Sequence, residues 1–186
     1  TTANPETEAT VYNVNSNTWT PLTPMPAGRD RTTAVTAGGF VYVIGGYAPA
    51  ATTPSANVYK YDIALNSWTE VAPLPTATGW GQALFYNNRI YFVGGSVAGV
   101  ATAVVYVYDV AGNSWTTATS MPGARWGGAC AMTGNQIVYV AGADGSGLLT
   151  NTVYVGAIDG GNPNLISWTT AEKTFPGIRV SELSSV

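Results

Sequence analysis

The sequence predicts an all-β protein, a β-propeller of four-stranded antiparallel blades with three full blades and a partial blade at each end. Two observations carry this expectation. The stretch Gly39-Phe40-Val41-Tyr42-Val43-Ile44-Gly45-Gly46, with Trp68 22 residues after Gly46, recurs as Asn88-Arg89-Ile90-Tyr91-Phe92-Val93-Gly94-Gly95 with Trp115. It recurs again, worn down, as Gln136-Ile137-Val138-Tyr139-Val140-Ala141-Gly142 with Trp168. Successive copies lie 49 and 47 residues apart, and a fixed period of that length marks a repeat architecture. Each period also holds four short strand-like runs bounded by turn residues, the strand count of one propeller blade.

Taken in order, residues 1–7 are polar, contain Pro5 and read as a linker. Residues 8–24 supply the last two strands of a blade. Ala9 to Val14 alternates as a strand should, Asn15-Ser16-Asn17 turns the chain, and Thr18 to Leu22 returns it. Residues 25–72 form the first full blade: Thr32–Ala37, a tight turn at Gly38-Gly39, Phe40–Ile44, then Asn57–Asp62 and Ser67–Val71. Residues 73–119 form the second, with strands near Gly81–Tyr86, Arg89–Gly94, Val104–Asp109 and Ser114–Ala118. Residues 120–171 form the third, with strands near Gly128–Met132, Gln136–Ala141, Thr152–Ile158 and Ser167–Thr170. Its last hairpin is enlarged by Gly160-Gly161-Asn162-Pro163-Asn164. Residues 172–186 repeat the linker, and Val180–Val186 reads as the first strand of a further blade.

Composition narrows the function classes. Charged residues make up 9% of the 186, far below the usual fraction of about a quarter, while 46% are apolar and 11% aromatic, so a packed fold is expected rather than disorder. Net charge is −3 and the seven basic residues are scattered, which argues against nucleic acid as a partner. No apolar run is long enough to suggest a membrane span. The one cysteine, Cys130, sits in an apolar strand pattern and reads as an inert small hydrophobe. Histidine is absent, which removes Ser-His-Asp and Cys-His catalysis and the usual zinc ligands from this chain.

The second strand ending in a glycine doublet, the Tyr61-Asp62 and Tyr108-Asp109 pairs, Asn-Ser-Trp at 66–68 and 113–115, and the Pro-containing linkers together resemble the kelch repeat from about Glu8 onward. The resemblance implies a ring of about six or seven blades. It also implies that Trp19, Trp68, Trp115 and Trp168 pack within or between blades as core residues. Gly45, Gly46, Gly94, Gly95 and Gly142 are expected where another element approaches too closely for a Cβ, the Trp one blade-width later being the candidate element. The Ala141-Gly142 variant suggests that the packing there tolerates one methyl.

In kelch propellers the interblade loops and the second-to-third-strand loops share a face that commonly carries binding. On that face the sequence offers Arg29, Arg31, Tyr47, Trp80, Arg125, Trp126 and Asp144 as candidate ligand or partner contacts. An arginine three residues past the linker proline, as at 29, 125 and 179, belongs to the repeat itself and reads first as a guanidinium satisfying carbonyls. Trp80 and Trp126 lie outside the repeat's own Trp position, so exposed indoles beside Arg31 and Arg125 would suit sugar stacking or a peptide hot spot. Asp144-Gly145-Ser146-Gly147 and Asp159-Gly160-Gly161-Asn162 supply one carboxylate each and read as turns, not calcium loops. Asp62 and Asp109 share a repeat position and read as turn caps rather than a catalytic pair.

The preferred reading is a noncatalytic binding or scaffolding module for a protein or glycan ligand, with no metal and no cofactor. It is read as a segment of a larger bacterial protein, secreted or at the cell surface, its open edges met by further blades of the same chain or by neighbouring copies. One alternative is a segment of a secreted carbohydrate-active enzyme or copper radical oxidase whose catalytic residues lie elsewhere. Another is a self-assembling surface-layer or filament subunit whose blade edges pair with neighbours.

Overall fold

The structure, a computed structural model, describes residues 7–48, 51–174 and 176. It opens with a two-stranded antiparallel sheet, β1 (Thr10–Asn13) with β2 (Thr18–Pro21). Three four-stranded antiparallel sheets follow. The first runs β3 (Thr33–Ala37), β4 (Phe40–Ile44), β5 (Val58–Asp62) and β6 (Ser67–Val71), neighbours in that order. The second contains β7 (Gln82–Tyr86), β8 (Arg89–Val93), β11 (Val105–Asp109) and β12 (Ser114–Ala118). A small hairpin not foreseen from the sequence, β9 (Ser96–Val97) with β10 (Val100–Ala101), stands in the loop between its second and third strands. The third runs β13 (Ala129–Thr133), β14 (Gln136–Val140), β15 (Val153–Ile158) and β16 (Ile166–Thr170). The expected strand at 180–186, and Arg179 before it, lie outside the described residues.

Period-two alternation decides how the sheets stack. In β8, Ile90 and Phe92 face the first blade and pack with Tyr42, Ile44 and Val58, while Tyr91 and Val93 face the third and pack with Ile137 and Tyr139. A strand sandwiched between two sheets must be apolar on both faces, which is why β8 reads as a continuous hydrophobic run. Each fully buried Ile, Val or Phe here contributes about 1.5–3 kcal/mol, and Tyr42 and Tyr108 add an edge contact at 5.8 Å between ring centroids. β3 and β13 each lie against β7, so the first strand of every blade is innermost. Together they wall a cavity of about 470 Å³ that includes Ala34, Thr36, Phe85 and Ala131.

The repeat tryptophans fasten each blade to the linker before it. Trp68 donates from Nε1 to the Thr23 carbonyl at 2.8 Å, Trp115 to Ala72 at 2.8 Å and Trp168 to Thr119 at 3.0 Å. Asn66 and Asn113 accept the N–H of the same linker residues, Thr23 and Ala72, at 2.8 and 2.9 Å. All three indoles are half-buried. Trp19 departs from the expectation of a core residue, being 68% exposed. It stacks on Tyr12 at 5.0 Å as Trp68 does on Tyr61 at 4.8 Å, but among the described residues no linker precedes β1 to receive it.

The glycine doublets also differ from expectation in what approaches them. A Cβ on Gly45 would strike the Thr78 carbonyl; on Gly46 it would lie 2.5 Å from the Asp30 carbonyl, and on Gly94 2.6 Å from that of Arg125. At Gly95 and Gly142 the nearest groups are the carbonyls of Gly79 and Trp126, both at 2.7 Å. The close neighbour is therefore linker backbone and not the tryptophan. These glycines also hold positive φ, from 63° to 108°, a second reason for the residue type. Ala141 accepts that conformation at φ 62°. It is the counterpart of Gly45 and Gly94, whose close neighbours come from the following linker, and the linker after the third blade lies largely outside the described residues.

Candidate functional site

The linkers and the second-to-third-strand loops meet at one end of the blades. Backbone N–H and C=O groups are exchanged between Asp30 and Tyr47, between Gly79 and Ser96, and between Trp126 and Ala143. These pairs set the register of the rim: Asp30, Gly79 and Trp126 are equivalent, and so are the residues after them, Arg31, Trp80 and Gly127. The latter three all have positive φ, 52°, 59° and 64°. Their backbones hydrogen-bond around the rim, Trp80 N–H to the Arg31 carbonyl at 2.8 Å and Gly127 N–H to the Trp80 carbonyl at 3.1 Å. Glycine adopts such backbone freely, whereas an arginine and a tryptophan are strained in it, and strain of this kind collects at functional sites.

The strained pair displays its side chains together. The Arg31 guanidinium lies 5.1 Å from the centroid of the Tyr47 ring and 5.4 Å from that of Trp80, and the Trp80 and Trp126 rings are 5.2 Å apart at 53°. Arg31 is exposed, the two indoles are half-buried and Tyr47 is buried. Gly79 makes room for this, because a Cβ there would collide with the Tyr47 ring. No protein acceptor binds the Arg31 guanidinium among the described residues, so its N–H donors face solvent on an aromatic bed.

The remaining candidates are placed differently. Arg125 is 8% exposed; it donates to the Ala124 carbonyl at 2.7 Å and to the Tyr154 hydroxyl at 2.9 Å. Arg29 donates to the Gly28 carbonyl at 2.8 Å and Asn57 Oδ1 at 2.9 Å, over the ring of Tyr59. Both guanidiniums thus brace a linker against a third-strand tyrosine. Thr78 fills the same slot in the second blade, where Tyr106 donates instead to Thr76 Oγ1 at 3.0 Å. Asp144 Oδ1 caps its own turn, accepting from Ser146 and Leu148 N–H.

The potential chemical groups are similarly occupied. Asp62 Oδ1 accepts from Ala64 and Leu65 N–H, and Asp109 Oδ1 from Ala111 and Gly112 N–H. The Gly112 N–H, helped by Ala111 and Arg89, holds the Asp109 carboxyl below the ordinary aspartate range. Burial pushes the Cys130 thiol far up, away from the thiolate form that reacts. No group of three or more metal-capable side chains occurs among the described residues.

The family model of the KLHDC2/KLHL20/DRC7 Kelch-repeats domain matches residues 3–172. The chain belongs to the kelch-repeat family. The kelch blades superpose on the solved structure of YjhT with a TM-score of 0.83 at 19% identity, covering 95% of this chain and 62% of that one, a likeness of fold. This chain therefore spans somewhat under two thirds of the YjhT chain. No curated protein matches it.

Four of the candidates expected from the sequence, Arg31, Tyr47, Trp80 and Trp126, meet in this kelch rim. The two indoles stand at successive rim positions, Trp126 level with Gly79 and Trp80 level with Gly127, and Gly127 is the glycine at the position that Arg31 and Trp80 occupy against backbone preference.

Proposed function

We propose that this kelch domain is a noncatalytic binding module that takes a segment of a protein partner on the rim formed by Arg31, Tyr47, Trp80 and Trp126. The observation that carries this is the solvent-facing Arg31 guanidinium, held between two aromatic rings beside a second indole and without a protein acceptor among the described residues. Trp, Tyr and Arg are the residue types that dominate interface energetics, where a central anchor is worth about 2 kcal/mol or more. Arg29 and Arg125 act behind the rim as braces. The absence of histidine, the turn-capping carboxylates and the buried thiol favour binding over catalysis.

Crosslinking of partners to the wild-type protein and to Trp80→Ala/Trp126→Ala, compared by mass spectrometry, tests the site. The double variant is expected to lose a defined partner while keeping its unfolding midpoint; an unchanged partner set overturns the reading. A glycan array run in parallel reports on the other ligand class, since glycan binding lost in the same variant would reassign the rim to carbohydrate. In our reading the low charge and the Thr- and Asn-rich surface fit a secreted or cell-surface protein, and recovery from the cytosolic fraction of the source cells would overturn that part.

A further inference from the structure

At the opposite end of the blades from the rim, the third blade departs from the repeat. Seven residues, 159–165, connect β15 to β16, where four connect the corresponding strands of the other two blades. The extra length crosses to the second blade and is tied there. The Asn164 carbonyl accepts the Thr119 N–H at 2.9 Å, its Oδ1 accepts from Thr116 Oγ1 at 2.9 Å, and the Tyr91 hydroxyl donates to the Pro163 carbonyl at 3.3 Å. In the other blades an asparagine side chain takes that linker N–H; here Ile166 occupies the asparagine position and the hairpin backbone serves instead. Asp159 Oδ1 stiffens the hairpin by accepting from Gly161 and Asn162 N–H at 2.9 and 2.7 Å. The tethered hairpin and the β7–β8 turn enclose a cleft of about 230 Å³.

We propose that this cleft is a second ligand site, taking one neutral polyhydroxylated ring such as a pyranose. Arg89, at its wall, has only long contacts, 3.4 Å to the Asn87 carbonyl and 3.9 Å to Asp109 Oδ2, so most of its five N–H donors are open. The second oxygen of Asp159 has no protein donor among the described residues and is an open acceptor. The charges exclude most other small ligands. An anion drawn to Arg89 would meet the Asp159 carboxylate, and a cation drawn to Asp159 would meet the Arg89 guanidinium. A hydroxyl carries no charge and both donates and accepts, so a ring of hydroxyls serves Arg89 and Asp159 together. Tyr86, Ile158 and Pro163 offer apolar surface to the C–H faces of such a ring. The volume lies below the ~300–1,000 Å³ of drug-sized pockets, which fits a single ring rather than an oligomer.

The test is saturation-transfer NMR on the full chain with a panel of methyl pyranosides (glucoside, galactoside, mannoside, N-acetylglucosaminide), with glycine and acetate as charged comparators. At least one pyranoside is expected to bind at millimolar concentration, and Arg89→Met and Asp159→Asn each to weaken it about tenfold, the loss of a hydrogen bond to a charged group. Asp159→Asn keeps the Oδ1 cap, and matching thermal midpoints separate lost binding from lost fold. Trp80→Ala/Trp126→Ala at the distant rim is expected to leave pyranoside binding unchanged. The proposal is overturned if no pyranoside binds, if glycine or acetate displaces the sugar, if binding survives both cleft variants, or if only the rim variant abolishes it.

Discussion

Replacing Gly95 with alanine tests the claim that linker backbone, and not tryptophan, is what the glycine doublets accommodate. Gly95 has φ 108°, and an alanine Cβ there would sit 2.7 Å from the Gly79 carbonyl oxygen, 2.7 Å from Thr78 Cγ2 and 3.0 Å from the Gly81 nitrogen. Two of these are backbone atoms, and the Gly79 carbonyl is pinned by its pairing with Ser96, so it cannot swing aside. Gly39, in the β3–β4 turn, is the matched control: φ is 86°, but nothing lies within 4 Å of its Cβ position. The backbone term alone costs an L-residue about 1–2 kcal/mol in this region, and overpacking adds about 1–3 kcal/mol. Gly39→Ala should therefore lose about 1–2 kcal/mol and Gly95→Ala about 2–5 kcal/mol. At ~2–4 °C per kcal/mol for a chain of this size, the gap between the variants is about 2–12 °C in Tm. Scanning calorimetry with urea titration reads it directly. Equal losses for the two variants would refute the close-approach argument and leave only φ as the reason for the doublet.

Other perturbations are read in the same assays. Trp115→Phe removes the donor to the Ala72 carbonyl and should cost about 1–2 kcal/mol, whereas Trp19→Phe, at an exposed indole, should stay within about 0.5 kcal/mol; equal costs would remove the fastening role. Arg31→Gly relieves about 1 kcal/mol of left-handed strain while losing cation–π contacts of about 0.5–1 kcal/mol, so stability should barely change as partner binding falls; a large destabilisation would mark Arg31 as structural. Because the folded state holds the Asp109 carboxyl below its unfolded value near ~3.9, the ionised group contributes stability above that pH and loses it as pH falls through the folded value. The urea midpoints of wild type and Asp109→Asn should thus differ at neutral pH and converge in acid. Burial, then Tyr42 and Asp109, raises the Tyr108 hydroxyl to about 12, so its contribution is complete below the unfolded value near ~10 and fades as pH rises toward 12. Tyrosinate absorbance should show a late-titrating fraction that joins the main transition in urea.

The chain's own pattern determined the blades. The short β-branched and aromatic runs in Phe40–Ile44, Arg89–Val93 and Gln136–Val140, the turn residues at Gly38-Gly39 and Asn87-Asn88, and the Trp spacing specify strands and hairpins, because those preferences act over a few residues. Boundaries fell within about two residues of the pattern for the same reason. Tertiary structure decided everything that depends on how one blade meets the next. Trp80 and Trp126 lie nearly one repeat apart, and only the ring of hydrogen bonds from Arg31 through Trp80 to Gly127 brings their planes together. What presses on Gly45 or Gly95 is a carbonyl from a distant linker, and a carbonyl has no residue type by which a sequence could announce it. The enlarged 159–165 hairpin was visible as extra length, but its attachment to Thr116 and Thr119, and the cleft it closes over Arg89, follow from the docking of two sheets. Local pattern fixes each blade, while the site belongs to the spaces between blades, and those exist only once the sheets are packed around a common axis.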